Sequence, residues 1–512
     1  MLFAKAVYAS GTPLSLFENP AWDEFFARLR PSFNVPSKYD LSGSLLDDVY
    51  NDLKVKMKKK VEDSETLGIS IDGWTNVRRE SIMNCMLYTP EPVFEKSIEC
   101  GLESHTGDYI AEQLQTVIEE KGPQKVMGAV TNTPNNMKAA GNILQNKYPW
   151  LTWYGCLMHL LNLLLVAICT KVPRVSEVID LSNAITKEIL GKPKELALFR
   201  DHQKKKIHIL ENPGQDSIYL RNELLNDHLW EKLDEVLEIV RPIEEWLFNV
   251  QSNDMPFNQF LIAFKDISSK ISAVLEKSDF LEDDEKETIR QILTDRKKKA
   301  LKPIHCAAAL LDPSLCNTLT PDEQSEAVDY LSTILIDLNL DLTKVLEEPS
   351  WKKMDLQPHV WWKAFFSTSE LGKIAVKILC LPLTAAAVER SFSAHGRIHS
   401  KIRNRLLNKR AEKLVFIHRN LKLLEPKKMK KKAESTTTNE EQGKIDFQDV
   451  DFESLEVLRD VSDDLGFFFN SLSKPDATII IIDSDKPSTS NADNEEDPDE
   501  CEFELPDIGP DP

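Results

Sequence analysis

The spacing of apolar residues changes along this chain of 512 residues. Before residue 67 the apolar positions recur every three to four residues, as in LFAKAVYASG and AWDEFFARLRP, until Gly11 and Pro31 interrupt them. That period is typical of amphipathic helices, which glycine and proline end. The stretch LSGSLLDDVYNDLKVKMKKKVED predicts a further, lysine-rich helix. Residues 1–66 are therefore predicted to form a helical N-terminal segment.

From Leu67 the pattern changes to that of β-strands. The runs GISIDGW, SIMNCMLYT and PVFEKSIECGL are bounded by Gly, Pro and Asn, as strands commonly are. A helix from His105 to Glu120, the strand KVMGAVTN, a helix from Pro134, the strand LTWYGC and the helix MHLLNLLLVAI follow. Three strands followed by alternating helices and strands is the order of an RNase H-like fold, a mixed sheet with helices on its faces. Residues 67–172 are predicted to be its first part.

Residues 173–365 return to a helical period, without an internal repeat, and predict an all-helical insertion. Residues 366–425 are predicted to supply the last helices of the core. Residues 426–512 are rich in Ser, Thr, Lys, Asp and Glu, so a disordered tail is predicted there. The predicted class is α/β: an RNase H-like mixed sheet interrupted by a large all-α insertion, with a helical N-terminal segment and a disordered acidic C-terminal tail.

The net charge of −20 belongs to the tail. Residues 433–512 contain 24 acids and 4 bases, whereas residues 1–432 contain 59 of each. The charge of the tail therefore says little about what the balanced body binds.

Cysteine spacing and hydropathy exclude several classes of protein. The eight cysteines form no CxxC pair, so neither a disulfide framework nor a zinc finger is indicated. No apolar run reaches the roughly 18 residues of a membrane span, and the first residues lack the apolar centre of a secretion signal. We expect a reducing compartment and no membrane association.

The stretch LPLTAAAVERSFSAHGRIHSKIRNRL, residues 381–406, combines a small-residue run, one acid and many bases. The acid is Glu389, beside Arg390. From composition alone the stretch is a solvated helix end. Together with KLVFIHRNL it resembles the C-terminal signature of hAT-superfamily transposases, where that signature carries the last catalytic carboxylate and part of a dimerisation surface. The resemblance covers roughly residues 1–425, and it implies a BED-type zinc finger upstream, where this chain has no counterpart.

The resemblance implies a catalytic triad at positions 72, 132 and 389. Three carboxylates would hold two divalent metal ions for phosphoryl transfer. Asp72 lies at the end of the first strand and Glu389 lies in AVERSFS, but the family's second acid is replaced by Asn132 in TNTPNNM. An amide lacks the charge that attracts dications, so we interpret the triad as vestigial and expect no metal to be retained. The structural alternatives are a turn acid at Asp72 and a helix-surface ion pair between Glu389 and Arg390 or Arg397.

Two further landmarks of the family fall on this chain. Cys156 and His159 form its CxxH, which is no zinc site by itself; a buried Cys and a hydrogen-bonded His are favoured over chemistry near the active site. The Arg-Trp pair of the family's insertion, implicated there in handling flipped DNA ends, is absent from FRDHQKKKIHILENPGQDSIYLRNELL.

Binding surfaces are predicted from basic and apolar residues. An apolar stripe near helical spacing predicts a homodimer or higher oligomer, unless it packs only on the chain's own sheet. Basic residues beside it are nucleic-acid candidates through phosphate contacts, or else a solubilising face. The stripe contains Leu406, Leu414, Ile417 and Leu421, and the candidates are Arg390, Arg397, Lys401, Arg403 and Arg405.

The tail carries two further motifs. A lysine cluster after Pro426 predicts nuclear localisation, or else a charged linker. Four isoleucines followed by acids resemble a SUMO-interacting motif, in which an extended segment adds to the edge of another sheet; a chance apolar run is the alternative. The residues are Lys427, Lys428, Lys430, Lys431 and Lys432 for the cluster, and Ile479, Ile480, Ile481, Ile482, Asp483 and Asp485 for the motif.

The sequence therefore predicts a domesticated, catalytically inactive hAT transposase-like nuclear protein. It would act through dimerisation and through binding to chromatin, DNA, SUMO or a SUMOylated partner, without a cofactor. The alternative is an active hAT-type DNA transposase or nuclease that uses Asp72 and Glu389 with Mg²⁺ or Mn²⁺.

Overall fold

Helices precede the sheet in the computed structural model, as the sequence predicts. They are α1 (Leu2–Ala9), α2 (Pro20–Leu29), α3 (Lys38–Ser42) and α4 (Ser44–Glu62). α1 ends two residues before the predicted stop, and Gly11 follows with a φ of 67°, a conformation that costs glycine little. The structure describes residues 1–101, 105–191, 227–251, 255–334, 356–400 and 406–424.

One mixed sheet of five strands follows. In chain order the strands are β1 (Leu67–Thr75), β2 (Ser81–Tyr88), β3 (Pro92–Glu99), β4 (Val126–Thr131) and β5 (Thr152–Gly155). Their order across the sheet is β3-β2-β1-β4-β5. The pairs β1–β2 and β2–β3 are antiparallel, whereas β1–β4 and β4–β5 are parallel. β4 is buried along its whole length, as parallel strands covered on both faces are.

Three helices alternate with the last strands, and their order confirms the predicted mixed α/β arrangement. They are α5 (Gly107–Lys121), α6 (Asn135–Lys147) and α7 (Leu157–Lys171). Thr106 caps α5 by accepting a hydrogen bond from the backbone N–H of Tyr109 at 3.3 Å. α5 and α6 pack closely at Gly107, because a Cβ there would lie 2.6 Å from that of Ala139.

A second apolar core joins α7 to four helices that follow, α8 (Pro173–Gly191), α9 (Asp227–Gln251), α10 (Gln259–Lys277) and α11 (Asp283–Ala300). The next two helices, α12 (Pro303–Leu310) and α13 (Pro321–Ile334), contribute their buried residues to the main core of the sheet. Over the ranges that the structure describes, no single helix has the length and apolarity to cross a bilayer. One pair of helices bent by 95°, Leu157–Lys171 with Pro173–Lys187, has the required length and apolarity together. Most apolar residues of α7 are buried in the protein core.

The chain returns to the sheet with its last helices, α14 (Pro358–Phe366), α15 (Glu370–Leu379), α16 (Ala386–Ile398) and α17 (Asn408–Leu421). α16 packs on β1 and β2, and α17 packs on β3 and α4.

α17 covers the free edge of the sheet. The side chain of Asn420 accepts from the N–H of Phe94 at 2.9 Å and donates to its carbonyl at 2.8 Å. Glu412 accepts from the N–H of Ser97 at 3.3 Å. α17 thus satisfies edge groups of β3 that a strand would otherwise pair.

The apolar stripe near the C-terminus lies partly inside the chain. Leu414 and Ile417 are buried in the main core, and Leu406 and Leu421 are partly buried against it. Leu414 and Ile417 therefore follow the second of the two predictions, in which the stripe packs on the chain's own sheet. The reason is that α17 covers β3 and α4. A contact between copies through these two side chains would require α17 to leave the core.

We expect Asn420→Leu to lower the free energy of unfolding by about 2–4 kcal/mol, because it leaves the buried N–H and carbonyl of Phe94 unpaired. Urea unfolding followed by circular dichroism measures this. The matched control is Asn146→Leu on the exposed face of α6, which should change stability by less than about 0.5 kcal/mol. Equal effects of the two substitutions would contradict the role of Asn420.

Candidate functional site

The structure brings Asp72, Asn132 and Glu389 together. Asp72 lies in β1, Asn132 directly follows β4, and Glu389 lies in the first turn of α16. β1 and β4 are parallel with Ile69 opposite Ala129, so positions 72 and 132 are neighbours three residues further along. Asn132 Nδ2 donates a hydrogen bond to Asp72 Oδ2 at 3.1 Å.

Burial controls the charge of Asp72. Its carboxyl accepts hydrogen bonds from Asn132 and, through Oδ1, from the N–H of Gly73 at 2.9 Å. Removal from water raises its pKa to about 6, and the hydrogen bond from Gly73 opposes that rise only in part.

Glu389 is perturbed in the same direction. Burial, and then the nearby charge of Asp72, raise its pKa to about 7, while Arg390 acts weakly against them. The guanidinium of Arg390 is directed elsewhere, because its Nη1 donates to the carbonyl of Gln251 at 2.7 Å. The two carboxyls thus share a poorly solvated site, where the charge of Asp72 disfavours ionisation of Glu389.

Asn132 determines how well the site suits metal ions. Its Oδ1 and the Oγ1 of Thr131 are buried without a hydrogen-bond partner. If the amide of Asn132 were turned over, Oδ1 would face the Asp72 oxygen and repel it, so the donating orientation is favoured at neutral pH. Two carboxyls and one amide carry one formal charge fewer than three carboxyls, so these residues do not fit two divalent ions well. Within the described residues, no group of three or more His, Cys, Asp or Glu side chains is arranged to hold a metal.

Cys156 and His159 occupy separate surroundings at the start of α7. The thiol of Cys156 accepts a hydrogen bond from the N–H of Ala385 at 3.2 Å and thereby holds the segment before α16. Burial raises its pKa to about 12, which leaves it an unreactive thiol. Burial lowers the pKa of His159 to about 4, and Arg296 of α11 adds to the effect. Both placements favour structural roles.

The basic residues near the site are divided between core and surface. The guanidinium of Arg390 is largely enclosed and bonded to Gln251, so it is not a surface contact for phosphate. Arg397 is exposed, whereas His399, two residues further along, is fully buried. The candidates Lys401, Arg403 and Arg405, the lysine cluster at 427–432 and the isoleucine motif at 479–485 lie outside the described residues.

A buried polar chain that the sequence analysis missed positions α16. Asn84 of β2 lies opposite Asp72; its Nδ2 donates to Ser391 Oγ at 2.8 Å, and its Oδ1 accepts from Ser97 Oγ at 2.7 Å. Ser391 lies two residues after Glu389, so this chain fixes the turn of helix that carries the acid. The sequence contained one signal of this chain, an asparagine inside the apolar run SIMNCMLY, because a buried polar side chain needs a hydrogen-bond partner.

We expect the raised pKa values to make the protein less stable as pH rises. An acid with a raised folded-state pKa favours folding fully below its unfolded pKa and loses that contribution as pH rises through the folded value. The windows run from 3.8 to about 6 for Asp72 and from 4.5 to about 7 for Glu389. Asp72→Asn and Glu389→Gln should therefore each raise the free energy of unfolding by about 1–3 kcal/mol near pH 8, and by much less near pH 4.

Urea unfolding in the presence of a chelator measures this at both pH values. Asp23→Asn, on the exposed surface of α2, is the control and should have little effect at either. Destabilisation of both site variants at the higher pH would contradict the assignment of burial as the cause.

Comparison with protein families gives two matches. Residues 36–185 match the model described as a domain of unknown function, DUF659. Residues 341–421 match the hAT family C-terminal dimerisation region. No curated protein matches the chain. The first match contains Asp72 and Asn132, and the second contains Glu389, so the two together support the identification of this chain as a hAT-family transposase-derived protein.

Proposed function

We propose that this chain is a domesticated hAT transposase-like nuclear protein that no longer cleaves or joins DNA strands and acts through self-association and partner binding. The observation that carries the proposal is Asn132, which stands beside Asp72 and donates a hydrogen bond to it at 3.1 Å. A catalytic acid there would instead add a third negative charge.

The proposal includes an RNase H-like core. In its support, the strand order β3-β2-β1-β4-β5 joins three antiparallel strands to two parallel ones. Asp72 on β1 and Glu389 on α16 meet at one end of the parallel pair, where functional side chains of open α/β sheets collect.

Electrostatics support the loss of strand transfer. Two divalent metal ions need a concentration of negative charge around them. Asp72 and Glu389 supply two carboxyls, and the amide of Asn132 adds no charge where a third carboxyl would. The convergence of these two acids favours the alternative, an active nuclease. A test of metal-dependent DNA cleavage distinguishes the inactive protein from the active enzyme.

Self-association is the part of the function with direct family support. The hAT C-terminal dimerisation region, matched over residues 341–421, supports it. We propose a homodimer as its simplest form, because closed two-fold assemblies are the commonest among soluble oligomers.

Binding to chromatin or DNA and residence in the nucleus are further parts of the proposal. Arg397, Lys409 and Arg410 are exposed around α16 and α17, where they could contact phosphates without reading bases. The lysine cluster at residues 427–432 supplies a basic signal for nuclear import.

We expect the purified protein to show no strand cleavage or joining that depends on Mg²⁺ or Mn²⁺. Nicking of a labelled DNA hairpin measures this. Nicking that requires the metal and disappears in Asp72→Ala would establish the alternative, an active enzyme. Asn132→Asp should strengthen Mn²⁺ binding, followed by electron paramagnetic resonance, because it completes three carboxyls. Asn146→Asp, on the exposed surface of α6, is the matched control.

We also expect a peptide spanning residues 474–500 to bind SUMO by strand addition. Titration of isotope-labelled SUMO should shift resonances along one edge strand and the adjoining helix. Ile480→Ala with Ile482→Ala should abolish the shifts, because these side chains would fill the apolar groove. Shifts that survive the two substitutions would mean that only the acids bind, and strand addition would then be wrong.

A further inference from the structure

Six aromatic rings form a cluster at the N-terminal end of the chain. Phe3 of α1 contacts Phe17 and Phe26 at ring-centroid distances of 4.8 and 5.7 Å. Trp22 contacts Phe17 and Phe25 at 5.3 and 5.7 Å. Phe33 completes the group, which we call the aromatic lobe. Its rings meet mostly edge to face, the arrangement that aromatic pairs favour.

The aromatic lobe is poorly covered. Within the described residues, no side chain of α2 is buried, although Trp22, Phe25, Phe26 and Leu29 form an apolar stripe along it. Phe25 is 50% exposed and Leu29 is 68% exposed. The apolar face of α2 is therefore packed along one side and open along the other. Proteins rarely expose large contiguous apolar patches, and where they do, such patches mark interaction sites.

α1 lies between the aromatic lobe and the main core, so the exposed apolar face of α2 does not pack against that core. Ala4, Val7 and Tyr8 of α1 are buried in that core. Tyr8 donates a hydrogen bond to the carbonyl of Leu41 at 2.8 Å, and Lys5 forms an ion pair with Asp52 of α4 at 3.1 Å. Phe3 joins the aromatic lobe, so α1 already contacts both groups.

α1 also connects the lobe to the helix of the dimerisation region. It packs on α17 as well as on α4. Two apolar residues of α17 were predicted to contact a second copy. These residues, Leu414 and Ile417, are buried inside the chain. These two side chains are not available to a second copy while α17 stays in the core, whereas the aromatic lobe, which adjoins the same region through α1, is exposed.

The composition of the lobe suits an interface. Its aromatic centre is edged by charged residues, with an ion pair between Arg28 and Glu24 at 2.6 Å and another between Lys38 and Glu18 at 3.1 Å. Aromatic anchors surrounded by a polar rim are typical of protein interfaces. A two-fold axis would bring this patch against the same patch of a second copy, so that apolar side chains meet apolar side chains.

We propose that the aromatic lobe, centred on Phe25 and Leu29 of α2, is the surface through which two copies of this chain associate. This inference rests on the self-association in the proposed function, and it names the surface and the partner.

Light scattering on the full chain tests the proposal. We expect the wild-type protein at micromolar concentration to have twice the chain mass of 58.4 kDa. The double variant Phe25→Ser with Leu29→Ser should be monomeric, with a dissociation constant raised by about 100-fold or more, because both anchors are lost. Since both side chains are largely exposed, circular dichroism and the unfolding midpoint should stay close to wild type.

A matched control has two exposed apolar residues elsewhere. Phe248 on α9 is 70% exposed and Val328 on α13 is 41% exposed, so Phe248→Ser with Val328→Ser should leave the dimer intact. Amide exchange gives a second measurement: residues 20–33 should be protected at high protein concentration and lose that protection on dilution.

The outcomes separate the two claims. A monomeric wild-type chain would overturn both self-association and the assigned surface. A wild-type dimer that persists in the Phe25 and Leu29 variant, without concentration-dependent protection of α2, would overturn the surface alone. Dissociation by the control variant as strongly as by the lobe variant would also overturn it.

Discussion

The return of residues 381–421 to the sheet is the constraint on which the rest of the structure depends. More than two hundred residues after β5, the carbonyl of Pro382 accepts a hydrogen bond from Tyr154 at 2.9 Å. Ser391 then bonds to Asn84, and Asn420 to Phe94. These bonds join polar groups inside the protein, where an unpaired partner is costly. They place Glu389 beside Asp72 and close the edge of β3 with the same two helices.

That constraint also explains how one short segment serves two purposes. α16 presents an acid to the end of the parallel strands, while α17 supplies apolar residues to the core and polar residues to the sheet edge. A helix that meets both demands has little apolar surface left for another molecule. Leu414 and Ile417 are therefore not available to a second copy while α17 stays in place, and the aromatic lobe is held beside the same helix through α1.

Much of this arrangement follows from the sequence, because the period of apolar residues distinguishes helices from strands. The strand-helix order from Leu67 to Lys171 was predictable in this way, whereas the proximity of Asp72, Asn132 and Glu389 was implied only by the resemblance to hAT transposases. The partners of Asn84 and Asn420 were not predictable, because a polar residue in an apolar run does not show which distant group it will bond. For the same reason the stripe through Leu414 and Ile417 indicated an apolar face without indicating what covers it.

The sequence distance between β3 and the helix that covers its edge has a consequence for biosynthesis. Asn420 is 326 residues from Phe94. At translation rates of about 5–20 residues per second, the ribosome needs roughly 15–65 s to make the intervening chain. Throughout that interval the nascent sheet has an unsatisfied edge, which is a template for pairing with another chain. Protection of that edge during synthesis must come from a chaperone or from delayed formation of the sheet.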